Sequence, residues 1–212
     1  MKEYRNWSYK VITKEQAEVK GNYYVFNYEN GVLRRWDKYV KFDLIKKSYV
    51  LLEGESPEDL IEEYYDERYF FAIIKITELS VGIKVFTFDN YEGSLIELRE
   101  RFAVDVHDNY VGSEIIFDPV TGIPDFSQTE KRFYNPSVNP DDCLFQCFYN
   151  DDDGSLLRIE YNSYHTDPYG QDGKWFFDNP ESLQALMNLT GISQDLVNYY
   201  VSPYILPSSP GV

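Results

Sequence analysis

One short pattern recurs three times along this chain at nearly constant spacing: an aromatic strand end, an acidic turn closed by glycine, and a leucine-led return. It reads Tyr24-Val25-Phe26…Gly31-Val32-Leu33, Phe86-Thr87-Phe88…Gly93-Ser94-Leu95 and Cys147-Phe148-Tyr149…Gly154-Ser155-Leu156, with the glycines 62 and 61 residues apart. A capping residue followed by proline keeps the same two spacings, at Ser56-Pro57, Asp118-Pro119 and Asn179-Pro180. Two landmarks in one register predict an α+β fold, with a mainly antiparallel sheet from three pseudo-repeated hairpin units of about 61 residues and two or three short helices. A unit of that length exceeds a propeller blade or a helical solenoid repeat.

Local signals fill in the unit. Asn30-Gly31 supplies the positive φ angles of a tight hairpin turn between residues 22–28 and 32–42. Ser56-Pro57-Glu58-Asp59 reads as a helix start, with a capping serine, proline in the first turn and acids behind it; Leu60, Ile61, Tyr64 and Tyr65 give its apolar face. Asn179-Pro180-Glu181 repeats that start, the helix stopping at Gly191, and Ser193 caps a last helix carrying Leu196, Val197, Tyr200 and Val201. In the middle copy Gly122 and Pro124 forbid a helix after Pro119. The expected organisation is one compact domain: residues 1–121 hold the first two units, 122–142 an irregular connection, 143–202 the third unit with its helices, and 203–212 a tail.

Charge narrows the range of partners. The chain carries 20 Lys or Arg against 36 Asp or Glu. Residues 1–50 have eleven bases and six acids, and residues 51–212 nine bases and thirty acids. Such a field repels nucleic acid and anionic membranes and attracts cationic partners. The basic segment interleaves Lys2, Arg5, Lys10, Lys14 and Lys20 with Tyr4, Trp7 and Tyr9, then Arg34-Arg35-Trp36 and Lys46-Lys47, as single-strand binders do. The acidic remainder opposes that reading, and these bases are expected to pair instead with the acidic half of the chain or with a neighbour. No apolar leader follows Met1 and no run approaches a membrane span, so the expectation is a soluble, cytoplasmic protein.

Catalytic and metal motifs are weak. Cys143 and Cys147 lack two further ligands at zinc spacing, and His107 and His165 are isolated, which points to free thiols rather than a metal site. Asn150-Asp151-Asp152-Asp153-Gly154 departs from a calcium loop because Tyr149 occupies the first ligand position. Asp105-Val106-His107-Asp108, read as a strand, would point Asp105 and His107 the same way as a base and its orienting carboxylate, but no nucleophile elbow accompanies it. No cofactor is implied.

Acidic turns with tyrosines beside them suit contact with a basic protein. The expected partner-binding residues are Tyr28 and Glu29, Asp89, Tyr91 and Glu92, Asp151, Asp152 and Asp153, and Tyr164 and Tyr169 on the polar loop after the third hairpin. This general character is similar to that of bacterial toxin-immunity proteins, without a shared motif. The expectation is therefore an acidic inhibitor, not an enzyme, that neutralises a basic partner such as a toxin nuclease domain or a host defence enzyme. The alternatives are an anti-defence nucleic-acid mimic and a hydrolase with a dispersed site.

Overall fold

The structure, a computed structural model, describes residues 1–7, 10–134, 143–161 and 174–206. Along them run β1 (Lys2–Arg5), β2 (Val11–Ile12), α1 (Lys14–Lys20), β3 (Tyr23–Glu29), β4 (Val32–Val40), β5 (Asp43–Val50), α2 (Pro57–Tyr64) and β6 (Phe70–Glu78). Then come β7 (Lys84–Glu92), β8 (Leu95–Val104), β9 (Tyr110–Ile116), a 3-10 turn (Phe126–Gln128), β10 (Glu130–Tyr134), β11 (Cys143–Tyr149), β12 (Leu156–Tyr161), β13 (Lys174–Phe176), α3 (Pro180–Thr190) and α4 (Gln194–Val201). The fold is mixed α+β. Among the described residues thirteen strands form one open, mainly antiparallel sheet in the order β13-β12-β11-β10-β9-β8-β7-β6-β5-β4-β3-β1-β2, with four α-helices.

The helices outnumber the two or three expected because α1 sits inside the segment read as alternating base and ring. Its start is a reciprocal capping box: the Thr13 hydroxyl accepts from Gln16 N (3.2 Å) and the Gln16 carbonyl oxygen from Thr13 N (3.0 Å). The proline-started helices form where the sequence placed them, Ser56 capping α2 and Asn179 capping α3, which ends on left-handed Gly191.

Each repeated segment folds as a hairpin plus a third strand: β3-β4-β5, β7-β8-β9 and β11-β12-β13. The likeness stops at the proline. Helix α2 follows the first and α3 the third, whereas Asp118-Pro119 opens a turn closed by Gly122 N on Asp118 O (3.0 Å). The segments therefore share strand order without being three equivalent modules. Residues 122–142, expected to be irregular, carry the 3-10 turn and β10.

By contacts the chain divides into unit one, residues 1–76 with 87–99, and unit two, residues 77–86 with 100–212. Unit one packs Leu60 of α2 onto Tyr49, Phe71 and Ile73, and Trp36 against Phe26 (4.3 Å) and Phe88 (5.1 Å). Unit two packs α3 and α4 over β11 and β12: Leu186, Val197 and Tyr200 meet Phe145, Cys147 and Ile159, all buried. Each of these large apolar side chains contributes about 1.5–3 kcal/mol by leaving water.

The end of α4 in unit two is pinned to the sheet. Lys131, fully buried, donates from Nζ to the carbonyls of Tyr199 (2.5 Å), Ser202 (2.8 Å) and Tyr204 (2.8 Å), closing the helix terminus with one ammonium. The Glu114 carboxylate, also fully buried, accepts from Ile205 N (2.8 Å) and Arg101 (2.5 Å). Tyr149 donates to Tyr200 O (2.6 Å), and the Tyr200 hydroxyl donates to Arg132 O (3.0 Å).

Candidate functional site

In unit one the first acidic turn, Glu29-Asn30-Gly31, has φ of 50° at Asn30 and 83° at Gly31, the left-handed pair that a two-residue hairpin turn requires. Tyr28 is half-buried, and its backbone pairs with Met1, donating to Met1 O (2.8 Å) and accepting from the amino terminus (2.7 Å). Glu29 is exposed, 4.0 Å from Arg34, but that guanidinium is held by Glu55 through two bonds (2.7 and 3.1 Å). The Arg34 contact keeps the Glu55 carboxyl below its ordinary range.

The second turn lies at the other end of the same strands. Strand β5 runs parallel to β6. The tight turn in which Leu79 N bonds Ile83 O then sends β7 back, so Glu92 ends where β6 begins, whereas Glu29 ends where β6 finishes. Asp89 is paired with Arg99 (2.5 Å), Tyr91 packs on Phe71 (6.3 Å), and Glu92 is exposed; Gly93 N donates to the Tyr65 hydroxyl (3.1 Å). The crossover helix α2 separates the two turns, and sequence reading took only its apolar face. Its outer face carries exposed Glu58, Asp59, Glu62 and Glu63, four acids within eight residues. Beside it is a recess of about 570 Å³ lined by Lys47, Tyr49, Glu63, Tyr64, Tyr65, Asp66 and Glu67, with Tyr49 and Tyr64 stacked at 4.3 Å. Lys47 and Arg68 already pair with Asp66 there (3.7 and 2.7 Å).

The basic amino-terminal residues are largely engaged within unit one. Arg5 pairs with Glu3, Lys14 with Glu18, Arg34 with Glu55 and Arg35 with Asp37. Tyr9 lies outside the described residues.

In unit two the third turn presents Asp151, Asp152 and Asp153, all exposed. The turn builds its own frame: Asn150 Oδ1 accepts from Asp152 N (2.9 Å), Gly154 N donates to Asn150 O (2.9 Å), and Asp153 Oδ1 accepts from Ser155 N (2.9 Å). That amide holds the Asp153 carboxyl below its ordinary range. Gly154 is buried with φ of 71°, and a Cβ there would come within 2.6 Å of the Phe126 ring. Among the described residues no ion pair engages the three aspartates, while nearby Arg132 and Arg158 are taken by Glu130 and Glu160. Tyr164 and Tyr169, expected as partner contacts, and His165 lie outside the described residues.

Asp105-Val106-His107-Asp108 is a turn between β8 and β9 rather than the strand expected, with φ of 62° at Asp108. The Asp105 carboxylate accepts from His107 N (2.8 Å), Asn109 N (2.9 Å) and Asn109 Nδ2 (3.0 Å), so it organises backbone instead of orienting the imidazole. His107 borders a recess of about 470 Å³ with Phe133, Tyr134, Ser193 and Leu196; the Ser193 hydroxyl accepts from Leu196 N (3.3 Å) as a helix cap. Cys143 and Cys147 are free thiols on β11, and burial pushes the Cys147 thiol up to about 12. Among the described residues no cluster of three or more His, Cys, Asp or Glu is arranged to hold a metal, and no helix is long and apolar enough to cross a membrane. In comparisons with known proteins no family model, curated protein or solved structure matches this chain.

Proposed function

We propose that this chain is an acidic protein-binding inhibitor that neutralises a basic partner in the cytoplasm, as a toxin-immunity protein blocks a toxin's active site. The observation that carries the reading is the Asp151–Asp153 turn: three exposed aspartates on a turn framed by its own hydrogen bonds, with no cation paired to them among the described residues. Short acidic side chains on a framed turn meet a basic surface at a lower ordering cost than long flexible ones. The alternative of a nucleic-acid mimic calls for acids spaced evenly along a line; the gathering of acids at one turn favours the inhibitor. The recurrence of hairpin and third strand fits duplication of an ancestral hairpin unit.

The test is affinity capture from the native host with the wild-type chain and with a Glu29→Gln, Asp151→Asn, Asp152→Asn, Asp153→Asn variant. A basic protein whose affinity falls at least tenfold in the variant, about 1.4 kcal/mol, and whose toxicity on expression is relieved by the wild type, supports the reading. Unchanged affinity removes these turns from the interface, and tight uptake of a metabolite in place of a protein sinks the inhibitor.

A further inference from the structure

Next to the third turn, the segment between β9 and the 3-10 turn exposes three apolar side chains, spaced three residues apart, that no sequence signal marked as a site. Phe117 is 61 % exposed, Val120 95 % and Ile123 59 %. The segment is tightly built all the same. Asp118 Oδ1 accepts from Val120 N (3.0 Å), and Asp118 O accepts from Gly122 N (3.0 Å) and from the Thr121 hydroxyl (3.1 Å). At the far end Asp125 N donates to Ile115 O (2.7 Å), and the Asp125 carboxylate accepts from Ser127 N (3.1 Å), the Ser127 hydroxyl (2.6 Å) and Gln128 Nε2 (3.0 Å). Pro119 and Pro124 further restrict the backbone between these anchors.

Phe126 fastens this loop to the acidic turn. Its ring is buried edge-on to Tyr204 at 6.0 Å and lies directly under Gly154. Through Phe126 the segment that exposes Phe117, Val120 and Ile123, with Asp118 and Asp125, adjoins the turn that carries Asp151, Asp152 and Asp153, and no ion pair engages any of these aspartates among the described residues. Apolar side chains held at the tip of a rigid loop gain nothing in the free chain and lose solubility. Framed by carboxylates, they match a cleft with an apolar floor and a rim of Lys and Arg.

We propose that Phe117, Val120 and Ile123 are the apolar anchors of the interface and enter the cleft of the basic partner while the aspartates pair with its rim. This rests on the inhibitor reading, and it assigns separate tasks to the apolar segment and the acidic turn. Long-range attraction by the aspartates sets the rate of association and its salt dependence, whereas the buried anchors set the rate of dissociation.

The experiment uses the full chain in its native host, with a photo-crosslinking amino acid at Val120 or, as control, at Leu189 on α3 (38 % exposed). It is followed by kinetics of the crosslinked protein with wild type, Val120→Ser/Ile123→Ser and the Asp151–Asp153 asparagine variant. The expected result is an adduct with a basic protein from position 120 and not from 189. Dissociation should be at least tenfold faster for the serine variant, with association unchanged, and the asparagine variant should show slower, less salt-sensitive association. Both serines replace exposed side chains, so an unaltered melting curve separates lost contact from lost fold. If a basic protein is held and the asparagine variant weakens it but the serine variant does not, the anchors are refuted and the inhibitor reading stands. If no basic protein is bound, both fall.

Discussion

Units one and two bury charge in opposite ways. In unit one the buried carboxylate of Asp37 is met by side chains from the same hairpin, Asn27 Nδ2 and Arg35 Nε, each at 3.1 Å. In unit two Lys131 is met by backbone carbonyls 68 to 73 residues away in sequence, and Glu114 by the amide of Ile205, 91 residues away, as well as by the side chain of Arg101. The charge balance differs as well: unit one has 14 Lys or Arg against 17 acids, and unit two 6 against 19. Unit one thus carries nearly as many cations as acids, while unit two has about three acids for each cation, and its exposed Asp151, Asp152 and Asp153 have no ion pair among the described residues. The surplus that the proposed function requires belongs to unit two.

The comparison breaks most visibly at Lys131. Lys131→Met leaves three carbonyls without a donor in a buried site and is expected to cost about 3–5 kcal/mol. Amide exchange resolved along the sequence should show protection lost across β10, β11 and α4 while β3 and β4 keep theirs. Equal loss in both sets would show that the units open together.

A second, smaller effect is on pH. Burial lowers the Lys131 ammonium to about 7 from an ordinary value of 10.5. Between those values the unfolded chain holds a proton that the folded chain has released, so stability rises with pH above about 7. The Cys147 thiol, raised from 9.0 to about 12, acts in the other direction above 9, where the unfolded chain ionises first. Urea midpoints should therefore climb by roughly 2 kcal/mol equivalent from pH 7 to 9, level off between 9 and 10.5 where the two slopes cancel, and fall above that; Lys131→Met should flatten the climb, and a climb of the same size in that variant would assign it to another group. The smallest effect is expected in unit one. Asp37→Asn gives up its ion pair but also the cost of burying a carboxylate, and about 1 kcal/mol of destabilisation in urea titration is expected; a loss as large as that of Lys131→Met would erase the distinction between the units.

Much of the fold was legible because turns and caps are local chemistry. Gly31, Gly93 and Gly154 all take positive φ in hairpin turns, and Ser56, Asn179 and Ser193 all cap helices. Helix α1 has its own local mark, since Thr13 and Gln16 stand at capping-box spacing, but its seven residues are too short for an apolar period to stand out among the bases and rings around it. Strand β9 and the short β10 carry weaker marks, and β10 adjoins a proline-rich stretch. The candidate site was the least legible part. The pattern set the acidic turns in one register, yet the parallel step from β5 to β6 puts the first two at opposite strand ends. The apolar anchors gave no signal because Phe117, Val120 and Ile123 resemble core residues until burial is known.

The ammonium of Lys131 also orders events during synthesis. Its three acceptors lie between residues 199 and 204, so the core of unit two stays open until that stretch has left the ribosome, with the charge of Lys131 hydrated in the meantime. A nascent chain stalled upstream of that stretch would lack these acceptors and leave the faces of β10 and β11 uncovered by α4.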